Sequence, residues 1–419
     1  MIPALNQPAA NQKTETNIKL PLSFIMFGLG SFVISQIILF LNSDSLTNGV
    51  FRMPDIWMAA HFLLLGWAVM VVMGAMYQLV PVAFLTAIWN ETFGFVQFFL
   101  TAAGVLFLSL SLSFFPAYAM IGGGLAVLGV IMFLFQMLMT LTRQKQKNIM
   151  SWFVGSALIS LLLTIIAGFG LTWSMKYGFS YHNHLLQTHL LFGLTGWFTL
   201  LIFGFSYKMV PMFSLSHGFE MKWAKKAFVT YCGGLVLLLV SVWLEMPAGL
   251  ISAWGLMFAG FTFFVLDMKE ILQKRIKKKL DRPFLFSLIA IGFGWLLHFA
   301  AFGLSLFQVE DSRIWSWGIY LYIMIWIIFS IMGYLYKIVP FLWWTHKYSG
   351  HVGKKDVPVL KDMIQEKWGS TLFISLTIGV LGLTSASLLH VPALVWGFQG
   401  IISVTSLCYV SSIIRVLTR

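Results

Sequence analysis

The sequence predicts an all-α, polytopic membrane protein: twelve transmembrane helices in three pseudo-threefold arcs of four. Three observations carry that expectation. The chain is 59% hydrophobic and only 10% charged, with 40 phenylalanines among 419 residues and a mean hydropathy of +0.87, more apolar surface than a water-soluble domain can hide. Twelve stretches meet the ~20-residue length that a ~30 Å hydrocarbon layer demands. One of those stretches also returns twice along the chain.

The spans are expected near 20–41, 56–82, 94–115, 117–142, 151–173, 184–212, 227–245, 249–272, 283–307, 314–344, 370–390 and 393–417. The first is too long for the core of a signal peptide and is read as retained, behind a polar cytoplasmic segment at 1–19. With the N-terminus inside, all 27 Lys and Arg except Arg52, Lys176 and Arg313 fall on the cytoplasmic side. That bias follows the positive-inside rule and places both termini in the cytoplasm. The net charge of +13 is therefore topology. The basic run Lys274–Lys279 reads as a solvated loop at a lipid surface, and no nucleic-acid partner is expected. Cys232 and Cys408 both fall inside spans, so neither a disulfide nor a CxxC site is suggested.

The repeat sits in spans two, six and ten. "HFLLLGWAVMVVMGAMYQLVP" begins at His61, "THLLFGLTGWFTLLIFGFSYKMVP" at Thr188 and "YLYIMIWIIFSIMGYLYKIVP" at Tyr320. Trp67, Gly74, Tyr77, Val80 and Pro81 recur at Trp197, Gly204, Tyr207, Val210 and Pro211, and again at Trp326, Gly333, Tyr336, Val339 and Pro340. The arcs are thus about 20–142, 151–272 and 283–417, within a single membrane domain. On a helical wheel Gly66, Gly74, Tyr77 and Pro81 fall within roughly 80°, a small-residue face suited to close helix packing rather than ligand contact. Lys208 and Lys337 are expected to snorkel to the cytoplasmic surface.

Polar residues inside the spans are few. Glu245 and Asp267 lie at span ends, which counts against a proton- or sodium-coupled transporter. Three histidines, His61, His189 and His298, are embedded at similar depth in the outer half, where an unpaired imidazole is costly and metal or haem binding becomes a leading explanation. His184, at the outer end of span six, joins them as a candidate metal ligand. His61 precedes Gly66 by five residues and His189 precedes Gly196 by seven, so at 100° per residue they leave their helices on nearly opposite faces. On neighbouring helices of a threefold ring such faces can look into one space, depending on the ring's handedness.

Twelve spans in three arcs, with marked helices two, six and ten and outer-side histidines, resemble the catalytic subunit I of haem-copper oxidases. They are similar also to nitric-oxide reductase large subunits, NnrS-type proteins and reduced oxidase-subunit-I-like proteins. The resemblance implies a haem axial ligand at His61 in the second helix. It also locates departures. The tenth-helix His-x-His positions hold Gly318 and Tyr320, no His-Pro-Glu-Val-Tyr motif occurs in span six, and no His-His pair follows in span seven. The expectation is a haem b protein of a bacterial cell membrane, with copper as a second candidate cofactor, in respiratory or nitric-oxide-linked chemistry. Its partners would be the lipid bilayer and a quinol or cytochrome electron donor, and it would not be a complete oxygen reductase. The competing expectation is a cofactor-free transporter or assembly factor on the same scaffold.

Overall fold

The computed structural model describes residues 16–144, 147–353 and 356–419; most of the expected N-terminal segment, and Lys355, lie outside them. Twelve helices are long and apolar enough to cross a membrane: α1 Lys19–Leu41, α2 Pro54–Phe84, α3 Glu91–Phe114, α4 Pro116–Leu141, α5 Ile149–Tyr177, α6 His182–Ser214, α7 Ala224–Trp243, α8 Pro247–Gln273, α9 Arg282–Leu306, α10 Ser312–His351, α11 Lys367–Leu388 and α12 Pro392–Leu417. All twelve expected spans are present, most within two or three residues of their ends. Backbone groups in hydrocarbon have no water to bond, and helices satisfy them internally.

Burial separates the helices into two shells. The most apolar windows of α2, α6 and α10 are 67, 83 and 72% buried, while no other helix exceeds 50%. The three repeat helices therefore form an inner ring, and the other nine face lipid. Within each arc the first helix packs on the inner one (α1 on α2, α5 on α6, α9 on α10) and the last two form a hairpin. The fourth helix of each arc packs on the first helix of the next: α4 on α5, α8 on α9, and α12 back on α1. Gln399 Nε2 donates to Gln36 Oε1 at 3.3 Å across that closing seam.

The repeated residues show why the sequence returns. A Cβ at Gly74 would sit 2.7 Å from the Pro21 carbonyl oxygen of α1, and one at Gly204 would sit 3.0 Å from Phe153 Cβ of α5. At Gly333 it would collide with the Ser287 hydroxyl of α9. The small-residue face is a packing face in all three arcs, as the wheel predicts. Trp67, Trp197 and Trp326 are fully buried. Beyond Pro81 and Pro211 the inner helices stop at Leu85 and Leu215, both left-handed (φ 51° and 53°). After Pro340 no such stop occurs and α10 runs on.

Two features differ from the sequence reading. Each inner helix carries a π-helical stretch at the same place, Phe62–Val69, Phe192–Phe198 and Tyr322–Ile328. Such turns advance by roughly 80° per residue instead of 100°, which changes the azimuth of whatever follows. Lys337 is not simply snorkelling: its ammonium pairs with Asp281, which also takes Lys277 at 2.7 Å. Lys208 is exposed, as expected.

Candidate site: a facing histidine pair

His61 and His189 meet. Their ring centroids are 6.3 Å apart with planes inclined by 20°, so opposite faces of α2 and α6 do share one space.

Each ring is held by its Nδ1. His61 Nδ1 lies 2.8 Å from the Trp57 carbonyl, one turn back along α2. His189 Nδ1 lies 2.9 Å from the Thr164 carbonyl of α5. A carbonyl can only accept, so in both residues Nδ1 carries the proton and the neutral ring keeps its lone pair on Nε2. A backbone anchor on one nitrogen that frees the other is how metal-ligating histidines are oriented. His189 also depends on Gly168 of α5: a Cβ there would lie 2.9 Å from both Cε1 and Nδ1 of the imidazole. Both residues are half-buried.

The other two candidates are not brought to the pair. His298, expected to be a haem ligand, is fully buried among Tyr231, Phe261 and Tyr322. Its Nδ1 lies 2.8 Å from the Gly294 carbonyl and its Nε2 lies 3.0 Å from the Tyr231 hydroxyl. Both nitrogens thus have a protein group within hydrogen-bond distance, although the Tyr231 hydroxyl also reaches the Thr195 carbonyl at 3.1 Å. His184 faces Glu245, Nε2 to Oε1 3.5 Å, beside Tyr181 and Trp243. Among the described residues no group of three or more His, Cys, Asp or Glu is placed to hold a metal ion. Of the four histidines, the structure brings His61 and His189 together, while the buried Nδ1 of His184 has no hydrogen-bond partner among the described residues.

Sequence reasoning missed three residues. Thr164 and Gly168 are ordinary in an apolar helix, and only the approach of α6 gives them a role. Asp267, read as a span-end residue, is completely buried. Its carboxylate accepts from the Tyr207 hydroxyl at 2.9 Å and from the Trp223 backbone N–H at 3.1 Å. It ties the repeat tyrosine of α6 to the start of α7 and lies far from the histidines, toward the opposite end of the bundle.

Fold and site together define a multi-pass α-helical membrane protein with a paired-imidazole site between two inner helices. No protein-family model matches the chain, and no curated protein sequence matches it.

Proposed function

We propose that this chain is a haem-binding membrane protein in which His61 and His189 would hold the haem through their imidazole nitrogens. The single observation that carries the reading is the pair itself: near-parallel imidazoles, each anchored through Nδ1, each with Nε2 left over. The donor set fits the group. Two neutral imidazoles with centroids 6.3 Å apart, each with its Nδ1 on a backbone carbonyl, are the donor type that haem iron takes. The absence of a CxxCH sequence points to a non-covalent, b-type haem. Bound there, haem would supply one-electron transfer. The protein's part is to hold two imidazoles in fixed tautomers and to surround them with apolar helix.

With both imidazoles on the group, the chemistry it would supply here is electron transfer rather than oxygen reduction. That agrees with Gly318 and Tyr320, which stand in α10 where a haem-copper oxidase has its His-x-His ligands. The three-arc ring supports kinship with that superfamily, and with it a quinol or cytochrome electron donor. The basic bias supports an orientation with both termini in the cytoplasm and the histidine pair toward the outer face. Copper is the second cofactor reading, because two imidazoles can hold a single copper ion without a third ligand.

The test is a reduced-minus-oxidised spectrum of the purified protein expressed with excess haem. The wild type should show a low-spin b-type spectrum, and His61→Ala and His189→Ala should each abolish it at unchanged membrane abundance. His298→Ala should retain the spectrum and lower stability instead. A wild-type protein that never takes up haem defeats the proposal, and copper analysis of the same sample decides the second reading.

A further inference from the structure

A second site lies away from the histidines. It lies at the opposite, basic end, holds about 240 Å³, and is bounded by the end of α12, the start of α11, Tyr336 of α10 and the turn at Met363–Gln365. At ~30 Å³ per water it would take about eight waters. Its walls are divided by chemistry. Met363 and Leu372 are apolar and buried, whereas Gln365, Ser411, Arg415 and Arg419 are exposed and polar.

The two arginines are the informative part. They are four residues apart at the end of α12 and line the same cavity, a spacing at which like charges repel. The Arg415 guanidinium has no hydrogen-bond or ion-pair partner among the described residues. Arg419 gives Nη1 to the Asp362 carbonyl, a neutral group. Asp362, the nearby acid, turns its carboxylate away to the backbone N–H of Val359 at 3.3 Å. None of the described residues lining the cavity is acidic. Among the described residues lining the cavity, two cations thus stand with no acidic side chain beside them, an arrangement that an incoming phosphate would stabilise.

We infer that this cavity binds the phosphate group of an anionic amphiphile, with Arg415 and Arg419 on the phosphate and Trp368 and Leu372 against its apolar part. Trp368 is 59% exposed at the mouth, the position of an interfacial tryptophan that meets lipid. Basic pockets between helices at a basic membrane face are suited to anionic headgroups. The inference rests on the membrane fold alone and stands whether or not the histidines bind haem.

Native mass spectrometry of the delipidated, full-length protein tests it, with phosphatidylglycerol, phosphatidylcholine or inorganic phosphate added. One phosphatidylglycerol should be retained in preference to phosphatidylcholine, and the preference should fall about thirtyfold in Arg415→Gln/Arg419→Gln. Lys225→Gln/Lys226→Gln, on another part of the basic end, should leave it unchanged. Ser411→Trp fills the cavity without touching charge and should also lose the lipid, which covers the case of an unstable arginine variant. Displacement of the lipid by millimolar inorganic phosphate would identify a soluble phosphate as the source of the same chemistry. Equal retention by wild type and arginine variants, or equal loss in the lysine variant, overturns the inference.

Discussion

At the scale of single residues, the histidine pair depends on a residue without a side chain. Gly168 lets the His189 ring reach the Thr164 carbonyl, and a methyl group there would come within 2.9 Å of the ring. Overpacking of this kind costs about 1–3 kcal/mol, and helix α5 itself gains slightly from alanine. Gly168→Ala should therefore leave the folded protein nearly as abundant while weakening haem retention by roughly tenfold or more. Haem titration of the purified variant checks this, and unchanged affinity would remove Gly168 from the site. Tyr207 and Asp267 make a contrasting pair. Tyr207→Phe leaves one buried carboxylate oxygen without its donor and should destabilise by about 1–3 kcal/mol, read as a lower unfolding temperature, with the haem spectrum intact.

At the scale of elements, the threefold repeat is regular in packing and broken in polarity. Trp326 donates Nε1 to Thr199 of α6 at 3.1 Å, and the same hydroxyl contacts Tyr322 of α10 at 2.6 Å. Trp67 and Trp197 are as deeply buried, yet their Nε1 atoms have no partner among the described residues. The repeat explains the difference. The positions equivalent to Thr199 are Val69 in α2 and Ile328 in α10, and neither can accept a hydrogen bond. By the ring's symmetry Trp197 points toward Val69. Val69→Thr should then give that indole an acceptor and be neutral or stabilising, whereas Val80→Thr, a buried site without an orphaned donor, should lower stability by about 1–2 kcal/mol. Thermal unfolding in detergent compares the two, and equal losses would refute the symmetric placement.

For the whole molecule, three arcs closed into a ring create one inner shell of three helices whose polar contents differ by interface. The α6–α10 interface is tied by Thr199, Ser206, Tyr322 and Tyr334. The α2–α6 interface holds the histidines instead. The orientation proposed for the ring has a direct test: reporter fusions after Lys147, Lys226, Lys278 and Lys355 should all report cytoplasm, and an external signal at any one breaks the twelve-span topology. Purified protein given a quinol or cytochrome donor should not consume oxygen at oxidase rates. Turnover of tens per second would show that a ligand position is open after all.

The sequence by itself determined the class, the number of spans and the threefold repeat, because these follow from quantities summed over many residues: apolar length, charge bias and a motif at constant spacing. It also placed His61, His189 and His298 toward one end, since depth follows from position along a helix. Which histidines face one another was decided only by tertiary structure. That choice depends on the handedness of the ring and on the π-helical turns that alter each inner helix's winding. It also depends on which neighbour occupies the second nitrogen. For His189 a backbone carbonyl takes Nδ1 and no described residue bonds Nε2, while for His298 a tyrosine hydroxyl from α7 lies at Nε2. Both histidines look alike in an apolar run, and only the approach of another helix gives their nitrogens different surroundings.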